Sequence, residues 1–140
     1  MVENNILEKR LSAVAGLRAS GHNCAQCVML AFADRYASRM SAEAAEAVAC
    51  ALGGGVCGTG HICGAASAMA AVVSLMRYEV PSDKKAVYAE GAGLIGEFAR
   101  RQGGLTDCDD LRRPGAKSCG DLINDAVEIL SKHLQEDDAR

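Results

Sequence analysis

Apolar residues recur three and four apart along most of the chain, the spacing that gathers them on one face of a helix. Leu7, Leu11, Val14 and Leu17 do so beside Glu8, Lys9 and Arg10, which predicts a first helix over about residues 4–19. Ser20-Gly21-His22 interrupts it. Asn23, with Gln26 three places on, has the form of a capping box. A second helix therefore starts at Cys24, with Cys27 one turn later and Val28, Ala31 and Phe32 on the inward side. That face turns Cys24 toward the core. Ser41 caps a third helix, with Glu43 and Glu46 outward, and the triple glycine Gly53-Gly54-Gly55 stops it.

From Ala47 to Met76 the chain carries no charge unless His61 is protonated. Such a run is long enough to cross a bilayer, but Gly53, Gly54, Gly55, Gly58 and Gly60 would leave backbone groups unsatisfied in lipid. We read it as the buried centre of the fold: a glycine loop carrying Cys57 and His61, then a fourth helix from Cys63 to about Tyr78. Ala65, Ala66, Met69, Val72, Val73, Leu75 and Met76 leave that helix apolar or small on every side, which suits the middle of a bundle. Pro81-Ser82 starts a fifth helix, with Val87, Gly91, Leu94, Ile95 and Phe98 as its buried stripe. Its glycines allow close approach to the fourth helix, and Gly103-Gly104 end it. Asp107 then opens a short turn or helix closed by Pro114-Gly115, and Ser118 caps a last helix with Leu122, Ile123, Ala126, Val127 and Leu130 inward. Residues 135–140 read as a frayed tail. No alternating strand pattern and no long repeat is present, so the expected fold is all-α, one irregular bundle of five or six helices over residues 1–140.

Length and charge narrow the function. With 140 residues and a net charge of −3, the chain has no electrostatic case for nucleic acid or an anionic membrane surface. Its N-terminus mixes acids and bases without an apolar stretch, so no secretory signal is expected and the location is cytoplasmic. Seven cysteines in that compartment are an odd number of reduced thiols, which directs attention to metal or redox chemistry rather than disulfide staples.

Four of the seven share a position. Cys24, Cys63, Cys108 and Cys119 each fall at or beside the first turn of a predicted helix. Unpaired N–H groups and the positive end of the dipole favour a thiolate there, and the same geometry holds an anionic metal–sulfur cluster. Four such starts point to helices converging on one site. Asp107, Asp109 and Asp110 would raise the Cys108 pKa, so Cys108 fits a ligand or resolving thiol better than an attacking one. Cys27, Cys57 and His61 are additional candidates, Cys27 through its CxxC spacing and the other two through the glycine loop. Cys50, among alanines and a valine, reads as a small core hydrophobe. His22 reads as a solvated loop residue and His133 as a cation suited to its helix C-terminus. The glycine loop lacks the Lys-Ser/Thr ending and preceding strand of a phosphate loop.

The ordered set resembles a known family. Cys24 within Gly21-His22-Asn23-Cys24-Ala25-Gln26, then Cys63-Gly64-Ala65, then two later single cysteines, is similar over nearly the whole chain to the C_GCAxxG_C_C family of redox-active proteins. The resemblance implies Cys24, Cys63, Cys108 and Cys119 as the functional four, the set that the helix starts select. It departs at one place, where Ala68 stands for the motif's closing glycine. The family is related to a domain of certain multihaem cytochromes that carries an iron–sulfur centre; no CxxCH is present, so covalent haem is not expected. Four readings follow. The first is a small electron carrier, rather than an enzyme, with an iron–sulfur cluster on the four thiolates and an unidentified redox protein as partner. The second is a metal-free thiol–disulfide protein in which Cys24 attacks and Cys63 or Cys27 resolves. The third is a binding module with a structural four-cysteine zinc site, and the fourth a helical interaction domain with buried thiols. The uncharged glycine-rich middle favours redox over zinc, and the apolar helix faces make a homodimer reasonable.

Overall fold

A computed structural model describes residues 2–136. Among them run seven α-helices: α1 (Val2–Ala19), α2 (Cys24–Ala31), α3 (Ala42–Cys50), α4 (Gly64–Arg77), α5 (Lys84–Arg101), the single turn α6 (Cys108–Leu111) and α7 (Cys119–His133). The architecture is all-α, as the periodicity predicts, and the count exceeds the expected five or six because the short turn expected near Cys108 is the helix α6. Short 3₁₀ turns at Ala33–Arg35 and Pro81–Asp83 complete it. No described helix is long and apolar enough to cross a membrane.

The helix starts are those the capping residues dictate. Asn23 and Gln26 form the reciprocal capping box, each bond 2.9 Å. Their spare amide hydrogens reach across to α3, Asn23 to the Cys50 carbonyl at 3.1 Å and Gln26 to the Glu46 carbonyl at 3.0 Å. One box thus satisfies orphan groups at the start of α2 and the end of α3 together. Ser41 and Ser118 cap α3 and α7 through their hydroxyls. Asp107 holds the cap position of α6 without a side-chain bond.

The apolar α4 lies at the centre, packed on α2, α5 and α7. Ala65, Ala66, Ala68, Met69, Val72 and Val73 are buried along it. On α5, a Cβ at Gly91 would rest 3.6 Å from the Ala70 Cβ, so this glycine does permit close approach, while Gly93 and Gly96 face open space or a flexible arginine.

Three expectations need correction. Cys50 is exposed, as the last residue of α3 where the helix runs out into the glycine loop. The glycine loop is the rim of the core rather than its centre: Val56, Cys57, Gly58 and Thr59 are exposed, while Gly55 and Gly60 are buried. The tail is anchored at its start. Glu136 is 2% exposed and accepts hydrogen bonds from Arg10 Nε at 2.7 Å, Arg35 Nη1 at 2.8 Å and Ser131 Oγ at 2.8 Å. Arg10, itself buried over the Phe32 ring, also pairs with Asp34. The rest of the expected tail, 137–140, lies outside the described residues.

Burial pushes the Glu136 carboxyl up, but Arg10 and Ser131 outweigh it and the net shift is down; Arg10 likewise lowers Asp34. Their stabilising contribution is therefore complete above the ordinary carboxylate value near 4.5 and is lost as pH falls through the lower folded values. Glu136→Gln should cost about 3 kcal/mol at neutral pH by stranding buried charge. Urea titration should also show that the variant loses less further stability on acidification than the parent protein.

Candidate redox centre

The first turns of four helices meet around one small cavity. Cys24 is the first residue of α2, Cys63 the N-cap of α4, Cys108 the first residue of α6 and Cys119 the first of α7. All four line a cavity of about 30 Å³, with Gly54, Leu111, Arg112 and Leu122 completing the wall.

Backbone pairing accounts for the convergence. Residues 61–63 and 106–109 run antiparallel, bridged at Ile62 and Asp107. The Cys63 N–H donates to the Thr106 carbonyl at 2.8 Å and the Cys108 N–H to the His61 carbonyl at 2.6 Å. The approaches to α4 and α6 are thereby fastened, and Cys63 and Cys108 are brought to the same cavity. On the other side, α4 begins against α2 so closely that a Cβ at Gly64 would lie 2.7 Å from Cys24 Sγ and 2.8 Å from the Leu52 carbonyl oxygen. Only glycine fits between those groups. Ala68, one turn further along α4, is fully buried and not part of the cavity wall, so its methyl group bears on helix packing.

Above the cavity passes the glycine loop. Five consecutive residues, Gly54, Gly55, Val56, Cys57 and Gly58, hold left-handed φ values of 65°, 75°, 66°, 53° and 73°. Val56 and Cys57 adopt this conformation without being glycine, which is uncommon for any side chain and costly for a β-branched one. The turn aims the Gly54 N–H at the Cys24 sulfur.

Cys24 and Cys63 form an unequal pair. A hydrogen bond from the Cys63 thiol, helped by the Gly54, Ala25 and Ala65 N–H groups, overcomes burial and lowers the Cys24 pKa to about 6. The same bond, with burial, pushes Cys63 strongly up. The pair therefore carries one negative charge, on Cys24. Cys108 is shifted up as the sequence suggests, but by burial rather than by its aspartates, with Arg112 pulling the other way. The Asp109 carboxylate instead packs over Gly60.

The remaining candidates stay outside. Cys27 is buried, its thiol directed at the His22 carbonyl 3.9 Å away, and burial pushes its pKa up to about 11. Cys57 and His61 are exposed, and His61 contributes its backbone rather than its ring. His22 is not a solvated loop residue, since its ring joins the Leu17 carbonyl at 3.0 Å to Glu46 at 3.2 Å. Three wall residues were missed by sequence reasoning. Leu111 and Arg112 could have been found from their spacing of three and four after Cys108 on one turn; Gly54 had no signal beyond its place among three glycines. Among the described residues, no three His, Cys, Asp or Glu side chains stand close enough together to hold a single metal ion.

The profile described as "Putative redox-active protein (C_GCAxxG_C_C)" matches residues 22–133, and so spans all four wall cysteines. The chain belongs to this family. A relative in Archaeoglobus fulgidus, named only as an uncharacterized protein, is 28% identical over 131 residues, covering 81% of this chain and 85% of its own. No solved structure matches the chain.

Two outcomes test the geometry. Gly64→Ala should destabilise the protein by about 1–3 kcal/mol, since the clash involves backbone, whereas Gly93→Ala, which meets nothing within 4 Å, should be neutral or stabilising by about 0.5–1 kcal/mol. In reduced, metal-free protein, alkylation of Cys24 followed by peptide mapping should level off above pH 6 and fall below it. A rate still climbing toward pH 9, the ordinary thiol value, would contradict the pairing with Cys63.

Proposed function

We propose that the protein is an electron carrier in which Cys24, Cys63, Cys108 and Cys119 hold an iron–sulfur cluster. The observation that supports this is the common cavity: four thiols from four helix starts face one space whose wall contains no carboxylate. Four soft sulfur donors suit iron–sulfur coordination. The uncharged, glycine-rich middle of the chain favours a redox centre over zinc.

When bound, a cluster supplies one-electron transfer at a potential tuned by hydrogen bonds to its sulfurs. The chain provides that tuning through the N–H groups of Gly54, Ala25, Ala65 and Ala66 around Cys24 and Cys63. Leu111 and Leu122, both buried, give the wall an apolar part beside the sulfurs. We place the carrier in the cytoplasm, with a redox protein as partner.

The hydrogen-bonded Cys24–Cys63 pair favours a second reading, thiol–disulfide exchange in which the Cys24 thiolate attacks and Cys63 resolves. Iron and acid-labile sulfide, measured after oxygen-free preparation, decide between them. The cluster reading expects both elements, a brown colour, and their loss in Cys24→Ser, Cys63→Ser, Cys108→Ser and Cys119→Ser but not in Cys50→Ser. Iron-free protein that loses two thiols on mild oxidation assigns the second reading. One zinc per chain and no iron would sink both.

A further inference from the structure

A single charged side chain, Arg112, lines the four-cysteine cavity. It is the C-cap of α6, exposed at the protein surface, and four residues after Cys108. The groups that act on it are sulfurs that share this wall, Cys119 first, then Cys108, with Cys24 beyond them, all favouring the charged guanidinium. Arg10, Arg35, Arg77 and Arg101 each pair with carboxylates. Arg112 joins no ion pair among the described residues, although Asp109 and Asp110 lie within its own turn. Its positive charge is thus directed at the thiols.

The geometry points to Arg112 as the residue that positions Cys108 and sets the reduction potential of the centre. This rests on the reading of the four cysteines as a redox centre. Reduction adds negative charge at the sulfurs, whether on a cluster or on a disulfide converted to thiolates. A guanidinium at the wall stabilises that added charge more than it stabilises the oxidised state, and so raises the potential. A guanidinium keeps its proton at any working pH, so the effect is constant where a histidine's would switch. Because Arg112 is exposed, solvent screens part of the interaction.

The test is a spectroscopic redox titration of anaerobically prepared protein and the variants Arg112→Gln, Arg112→Lys and Arg113→Gln, with iron measured on each. Arg112→Gln should reduce the ratio of reduced to oxidised centre at a fixed potential about tenfold, equivalent to ~59 mV for one electron. Arg112→Lys should stay within about threefold of the parent, because the charge is kept. Arg113→Gln removes the same charge from the next residue and should change little. If Arg112→Gln leaves the midpoint unmoved, or if Arg113→Gln moves it equally, the assignment to Arg112 is overturned. Should Arg112→Gln fail to fold, Arg112→Met, which keeps the apolar stem, takes its place in the same comparison. Iron-free protein overturns the cluster reading alone. Equilibration of the cysteines against dithiothreitol then compares the same variants and decides the role of Arg112.

Discussion

The close approach of α4 to α2 at Gly64 governs the site. The α4 backbone sits against Cys24 Sγ and the Leu52 carbonyl at a distance that no side chain would permit. That contact places the N-cap sulfur of one helix beside the first-residue sulfur of another. It also leaves the first-turn N–H groups of both helices directed at the pair, where unpaired donors and the positive dipole end act on the same two atoms. The remaining cavity wall is built outward from this junction. The antiparallel stitch between residues 61–63 and 106–109 adds Cys108, and α7 adds Cys119.

The electrostatics follow from that crowding. Two thiols on the wall of one small cavity cannot both ionise cheaply. Backbone donors decide which does: Gly54 from the loop and Ala25 from α2 both serve Cys24. The left-handed run from Gly54 to Gly58 is the local cost of presenting the first of those donors, with Val56 and Cys57 bearing the least favourable conformations. The core is ordinary packing that includes Met69, Val72, Val73, Phe98 and Ile123.

Much of the scaffold was readable from the chain because its signals are local. Asn23 with Gln26, Ser41 and Ser118 announce helix starts within four residues, and the apolar stripes of α5 and α7 follow one period. The convergence of the four cysteines was an inference from those starts, and the cavity they line matches it. What could not be read depends on partners distant in the sequence. Cys50 has the neighbours of a core residue, yet the helix ends there. Glu136 looks like part of a charged tail until Arg10, 126 residues earlier, is placed against it. Periodicity does not reveal that Arg112 faces sulfur rather than the aspartates beside it.

The stitch between the approaches to α4 and α6 has a consequence for biosynthesis. During synthesis the segment bearing Cys24 and Cys63 emerges well before residues 106–109, which close the other side of the cavity, and Cys119 emerges later still. The cavity therefore cannot close while only its Cys24–Cys63 side has been made; its enclosure waits on residues 106–109 and on Cys119.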